Sequence, residues 1–202
     1  MLPLLESVFL PIPADSDEDR IQRLRCDSQS LSFYGDISRF MSQRLLAFET
    51  LSLLDVGPRT GVGSALLRLL HHPAAYTRLK FEPVHGIDLD PDFVRIAGQE
   101  FKDIHPSVGD IFDLPENSFD VVTCSHTIEH VPDMAAFIGQ LERIARRAVV
   151  LACPFEERDP MSDGHINRID AEILKGLGYD DIEVYDSFHF HNGMCCLAFK
   201  VL

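Results

Sequence analysis

Residues 51–63 read LSLLDVGPRTGVG, and no other stretch of the sequence narrows the fold as much. The apolar run Leu51–Val56 passes into a turn carrying Gly57, Gly61 and Gly63. A helical pattern follows, with Ala65, Leu66, Leu67, Leu69 and Leu70. A short continuous apolar run reads as a strand buried on both faces. Glycine lets the turn take up backbone conformations closed to other residues and lets a ligand come close. The amides at the start of the helix favour a negatively charged group. Asp55, at the end of the strand, either organises the turn or meets a ligand ammonium. A tight strand-to-helix connection without a ligand would use the same glycines.

The alternation continues along the chain. Val84–Ile87 is a second strand, and Phe93–Phe101 a helix opened by Asp90-Pro91-Asp92, with proline near the first helical position. Ser107–Val108 begins a third strand, Phe119–Ser125 is a fourth, Pro132–Ala145 a helix and Ala148–Cys153 a fifth strand. Ile169–Leu177 is a helix ended by Gly178. Ile182–Phe188 and Met194–Val201 close the chain as strands; with no helix between them they read as antiparallel. Strands alternating with helices, the inner strands continuously apolar, predict an α/β fold. The expectation is a Rossmann-like, seven-stranded, mostly parallel sheet with helices on both faces and an antiparallel last strand. Residues 1–49 read as an N-terminal lead-in and helical appendage, with helices over 15–49 broken near Gly35, and residues 50–202 as the main domain.

Composition excludes several classes. The chain of 202 residues carries 18 basic and 32 acidic side chains, a net charge of −14. Nucleic acid and anionic membranes demand clustered Lys and Arg, and only four of the basic residues are Lys. Arg143, Arg146 and Arg147 form the one dense basic group, read as a solvated helix end favoured by the helix dipole. The five cysteines include no C-x-x-C pair, which fits a reducing compartment. The N-terminus MLPLLESVFLPIP lacks the basic region of a secretory leader. The longest strongly apolar run, Ala148–Phe155, is far shorter than the ~20 residues of a membrane span. The expected location is cytoplasmic, with no nucleic-acid or membrane partner; the sequence leaves the oligomeric state open.

Two further acids sit at strand ends, where ligands of open α/β sheets bind. Asp88, in GIDLDP, follows Asp55 by 33 residues. A carboxylate there can accept both hydroxyls of a ribose; the alternative is that it caps the next helix, for which Asp90 is better placed. Asp110, in VGDIFDLP, can accept an adenine amine while the following Ile111 packs the ring; otherwise it is a loop acid.

DVGPRTGVG, GIDLDP, VGDIFDLP and FDVVTCSHTIEHV, in that order, resemble the class I S-adenosylmethionine-dependent methyltransferases. The similarity is nearest to the small bacterial ubiquinone/menaquinone-type, methyltransferase type 11-like group, and covers residues 50–155 best. The resemblance implies that residues 50–202 bind S-adenosylmethionine and release S-adenosylhomocysteine. It implies that Asp55, Gly57 and Gly61 line the methionine part, that Asp88 holds the ribose, that Asp110 and Ile111 hold the adenine, and that Leu89 is a further cofactor-binding residue. Ser125 would approach the sulfonium. One departure stands out: the family pattern D-x-G-x-G-x-G has Arg59 in place of its middle glycine. The arginine points away, pairs with the methionine carboxylate, or marks lost binding.

His126-Thr127-Ile128-Glu129-His130 matches H-x-x-E-H, a zinc-protease pattern. That chemistry needs both histidines on one face of a helix, whereas this segment follows a strand and precedes Pro132. The expectation is therefore no metal ligand here, with His126 and His130 at the mouth of the site and His126 facing the acceptor. His189 and His191 are likewise read as non-ligating. The long, mixed-charge segment Pro154–Arg168 follows the fifth strand, where loops overlie the ligand crevice. His165 in it is a candidate general base, as is His126; each is otherwise a hydrogen-bonded structural histidine.

The expected function is methyl transfer from S-adenosylmethionine to a small-molecule or saccharide-type acceptor. One rival is a degenerate methyltransferase fold serving as a binding module, for which Arg59 is the argument. A nicotinamide oxidoreductase is the other, and it would want G-x-G-x-x-G, whereas Gly57–Gly63 reads G-x-x-x-G-x-G.

Overall fold

The computed structural model describes residues 28–45 and 48–202; the expected irregular lead-in and the start of the appendage, residues 1–27, lie outside the described residues. The chain divides into two compact units, the first ending at Asp110 and the second running Ile111–Leu202.

The first unit contains α1 (Ser28–Arg44), β1 (Thr50–Val56), α2 (Val62–Leu70), β2 (Lys80–Asp88), α3 (Pro91–Glu100) and β3 (His105–Val108). β2 pairs in parallel with both β1 and β3. Helix α1 runs unbroken through Gly35, contrary to the expected break. Phe33, Tyr34, Ile37, Phe40 and Met41 bury one face of it, and that packing outweighs the ~1 kcal/mol helix penalty of a glycine. β2 begins at Lys80, ahead of the expected Val84, because Lys80 and Phe81 extend the ladder onto Thr50 and Leu51. Asp90 caps α3 by accepting the Asp92 amide, with Pro91 in the first helical position.

The second unit holds a 3₁₀ turn (Ile111–Asp113), β4 (Phe119–Ser125), a second 3₁₀ turn (Ile128–His130), α4 (Met134–Ile144), β5 (Ala145–Phe155), α5 (Ala171–Gly176), β6 (Asp181–Tyr185) and β7 (Met194–Val201). β4 and β5 are parallel, and β7 runs antiparallel to both β5 and β6. The basic trio is not a helix end. Only Arg143 lies in α4; β5 starts at Ala145, paired with Phe119, so Arg146 and Arg147 are strand residues. Both guanidinium groups reach the Asp120 carboxylate, at 2.9 and 3.5 Å. Val149, Val150, Leu151, Leu197 and Ala198 are fully buried, which is why these strands read as apolar without alternation. Cys153 and Cys196 face each other across β5 and β7 as free thiols with their sulfurs 3.3 Å apart.

The strands form a seven-stranded mixed sheet in the order β3-β2-β1-β4-β5-β7-β6, the expected topology with its antiparallel last strand. Among the described residues no helix is long and apolar enough to cross a membrane.

Candidate functional site

β1 of the first unit ends in Asp55, which is wholly buried. The Tyr34 hydroxyl donates to its Oδ1 at 2.9 Å and the Ser64 hydroxyl to its Oδ2 at 2.5 Å. The carboxylate therefore ties α1 and α2 to the strand end and organises the turn. In that turn Gly57, Arg59 and Gly61 all have left-handed backbone, with φ of 69°, 55° and 78°. The Gly57 amide donates to the Ile87 carbonyl at 2.9 Å, the Gly61 amide to the Pro58 carbonyl at 3.0 Å, and the Arg59 amide to Asp88 Oδ2 at 3.2 Å. These three amides serve the loop itself.

Close packing fixes two of the glycines. A side chain at Gly61 would meet Ala97 Cβ at 2.9 Å, and one at Gly63 would overlap the Tyr34 ring at 2.3 Å. Between them Thr60 is buried, and its hydroxyl has no hydrogen-bond partner among the described residues. An unmatched buried hydroxyl in a glycine-lined turn is what a polar ligand would complete. Arg59 itself is exposed.

Asp88 ends β2, half-buried. Its Oδ1 accepts the Asp90 amide at 2.9 Å and its Oδ2 the Arg59 amide. A carboxylate has about four acceptor positions, so two of these bonds leave capacity for hydroxyl groups. The helix cap is Asp90. Leu89 and Asp110 are exposed, while Ile111 is buried at the start of the second unit. The groups of this loop therefore fit the cofactor implied by the sequence motifs: acceptors for ribose hydroxyls at Asp88, a spare hydroxyl at Thr60, and a turn without side-chain bulk at Gly57.

In the second unit β4 delivers Ser125 and His126. Ser125 Oγ lies 3.2 Å from His126 Nδ1, and Cys195 Sγ 3.8 Å from His126 Nε2. His126 has φ of 50°, and its amide donates to the Ala152 carbonyl at 2.7 Å. Burial, then the neighbouring His165 and His130, push its imidazolium down to about 3. Held in its neutral form, His126 suits hydrogen bonding.

His165 is placed differently. Its Nδ1 lies 2.7 Å from Glu157 Oε2, its ring stacks on Phe190 with centroids 6.4 Å apart, and it meets the His130 ring edge-on at 4.8 Å. Glu157 is buried, and its Oε1 accepts the Ser162 amide at 2.6 Å and the Asn192 side-chain amide at 3.1 Å. Burial alone would raise the acid, but these bonds and His165 outweigh it and hold Glu157 at about 2. A carboxylate thus orients a histidine, the arrangement of an activated base.

The loop carrying His165 is stitched to the 3₁₀ turn. Ile166 and Asn167 amides donate to the Glu129 carbonyl at 2.9 and 3.1 Å. The Asn167 side chain donates to the Ile128 and Val131 carbonyls at 3.0 and 2.7 Å. His130 Nδ1 lies 2.8 Å from the Gly164 carbonyl. Glu129 itself is 1% exposed, and neither carboxyl oxygen has a hydrogen-bond partner among the described residues. Burial first, then Glu157, raise its acid to about 8. Glu129, His130 and His165 each offer a ligand atom, all within 4.8 Å of one another.

Sequence reading named His126, His130 and His165 but missed Glu157, Glu129 and Tyr34 as their partners and the loop's. Glu129 was visible only as the acid of H-x-x-E-H. Nothing in the spacing pointed to Glu157 or Tyr34.

The family model described as a methyltransferase domain matches residues 54–153. Ajmaline N-methyltransferase of Rauvolfia serpentina is 30% identical over 138 residues, covering 63% of this chain. The chain spans only 44% of that curated relative's length. An S-adenosylmethionine-dependent methyltransferase from Aquifex aeolicus shares the fold with a TM-score of 0.62 at 18% identity, over 93% of this chain and 99% of its own. Magnesium protoporphyrin IX methyltransferase of Synechocystis, solved with bound S-adenosylhomocysteine, does so with a TM-score of 0.61 at 15% identity, over 95% and 90%.

Proposed function

We propose that this chain, whose residues 54–153 match the methyltransferase-domain family model, transfers a methyl group from S-adenosylmethionine to a small-molecule acceptor. The observation that carries the reading is the turn after β1, with Asp88 facing it through the Arg59 amide. The cofactor supplies an electrophilic methyl group on a sulfonium. Asp88 accepts the ribose hydroxyls with its remaining lone pairs. Gly57 and Gly61 line the methionine part, as the resemblance implies, Asp55 holds the turn in shape, and Arg59 offers its cation to the methionine carboxylate. Asp110, Ile111 and Ser125 keep the adenine and sulfonium roles that the resemblance implies, and Leu89 its place among the cofactor-binding residues.

His165, oriented by Glu157, takes the acceptor's proton where one must be lost; His126 orients the acceptor as a neutral hydrogen-bonding group. Methyl transfer is an in-line displacement in which orientation of the nucleophile does much of the work. The relative named Ajmaline N-methyltransferase supports a small-molecule acceptor; a saccharide-type metabolite is the other acceptor class in this reading. The net charge of −14 argues against nucleic acid. We place the boundary of the catalytic domain at residue 50, with residues 1–49 as its appendage, and the protein in the cytoplasm.

Calorimetric titration with S-adenosylmethionine and S-adenosylhomocysteine, run on the wild type and on Arg59→Gly, tests the reading. Micromolar binding by the wild type supports it. Binding only by Arg59→Gly would make the chain a binding module whose site Arg59 closes, and binding by neither would remove the cofactor assignment.

A further inference from the structure

The H-x-x-E-H segment is neither a helix nor part of the cofactor turn, yet the fold gives two of its residues a third partner. Glu129 and His130 lie in the 3₁₀ turn, and His165 comes from the loop stitched to it by five hydrogen bonds. We propose that Glu129, His130 and His165 form a binding site for one divalent transition-metal ion of the zinc class. This reading departs from the sequence expectation of no metal ligand. It rests on the second unit alone and stands independently of the cofactor assignment.

Three observations carry it. The first is tautomer. His130 Nδ1 is bonded to the Gly164 carbonyl, an acceptor only, so that nitrogen carries the proton and Nε2 carries the lone pair. His165 Nδ1 faces the Glu157 carboxylate, which fixes the same tautomer. A carboxylate or carbonyl behind the ring is the usual support of a metal-binding histidine. The second is Glu129, buried with neither carboxyl oxygen hydrogen-bonded to another of the described residues. Such a group is costly unless something meets it, and a cation between it and the two imidazoles would do so. The third is geometry. The three ligand atoms lie within 4.8 Å of one another, while bonds of about 2.0–2.2 Å to zinc place ligands roughly 3.4 Å apart. The ligand atoms need to close by about 1.4 Å to hold the ion.

Two histidines and one glutamate leave further coordination positions open, the pattern of catalytic rather than structural zinc sites. An occupied site would take His165 Nε2, the base assigned above. A water or acceptor hydroxyl in an open position would instead be acidified by the metal, its proton passing to solvent.

The test uses the full chain stripped with a chelator. Zn²⁺ is titrated against a chromophoric competitor, and Co²⁺ is followed by its visible absorption. One equivalent of each is expected, with a cobalt spectrum of low coordination number and no thiolate charge-transfer band. His130→Ala, checked for folding by circular dichroism, should lower affinity by well over tenfold. Glu157→Gln should lower it about 10–100-fold by loosening the ring of His165. Glu129→Gln, checked for folding by circular dichroism, should abolish it. The proposal fails if no stoichiometric binding occurs, if His130→Ala binds as tightly as the wild type, or if the cobalt spectrum reports cysteine ligation.

Discussion

Tyr34, on α1, donates its hydroxyl to Asp55, at the end of β1, across 2.9 Å of buried space. The two residues are 4% and 0% exposed. The same Tyr34 ring fills the volume that a side chain at Gly63 would occupy. One tyrosine on a helix ahead of the motif therefore sets both the polarity and the packing of the turn after β1.

Tyr34→Phe keeps the ring against Gly63 but removes the donor. The Ser64 hydroxyl still donates to the other Asp55 oxygen, and a buried acceptor losing a donor costs about 1–3 kcal/mol. Urea denaturation should show a loss of that size. S-adenosylmethionine affinity should fall as well, because the turn is less firmly held. Unchanged stability would show that Asp55 does not depend on this bond.

Gly63→Ala probes the packing instead. Its Cβ would sit 2.3 Å from a Tyr34 ring carbon, so the ring must leave its place and take its hydroxyl from Asp55. The expected cost is about 1–3 kcal/mol, that of overpacking. Tyr34→Phe and Gly63→Ala share one partner, so their double variant should lose less than the sum of the two. Strict additivity in denaturation would break the link drawn here.

Arg59 holds a left-handed backbone, φ 55°, that a glycine adopts without strain. Left-handed backbone costs a residue with a side chain roughly 1–2 kcal/mol. Arg59→Gly recovers this but gives the unfolded chain more freedom, so the net change in stability should be within about 1 kcal/mol. Cofactor affinity separates the roles of the side chain. A fall of about fivefold or more in the variant is expected if the guanidinium meets the methionine carboxylate; tighter binding would mean that the arginine obstructs the site.

The sheet was legible because its inner strands are buried on both faces, as Val149, Val150 and Leu151 show by being apolar without a break. The turn was legible because glycines at 57, 61 and 63 meet a local need. Strand starts were less so: the ladder carries Ala145 and Lys80 into strands through pairing with distant segments, which local sequence does not record. Gly35 misled because a buried helix face overrides a local propensity. The histidine cluster was half legible. His165 could be named from its loop, but Glu157 reaches it only through a fold-back that brings Ser162 and Asn192 to the same carboxylate.

Asp88→Ala removes the acceptor of the Arg59 and Asp90 amides together with the proposed ribose contact. Cofactor affinity should fall by about 1–3 kcal/mol, as lost hydrogen bonds to a charged group imply. Asp88→Asn keeps one acceptor oxygen and should lose less. Calorimetry on both variants checks the order; equal affinity in Asp88→Ala and wild type would remove the ribose assignment.

Glu129 makes stability depend on pH in the metal-free protein. Its acid stands at about 8 in the fold against an ordinary value of 4.5. Between those two values the native state keeps a proton that the unfolded chain has released. The unfolded state then binds fewer protons, so stability falls as pH rises, by roughly 1.4 kcal/mol per pH unit from this group. Below about 4.5 the contribution is fully present, and above about 8 it is lost. Glu129→Gln cannot titrate. The stability difference, variant minus wild type, should therefore rise from pH 5 to pH 8, whatever the constant cost of burying the amide. Denaturant titrations of both proteins at four pH values, with chelator present throughout, give that difference directly, because the other titrating groups cancel in it. A difference flat across the range would mean that the carboxyl group is ionised in the fold and has found a partner, which would also remove the unpartnered acid on which the metal site rests.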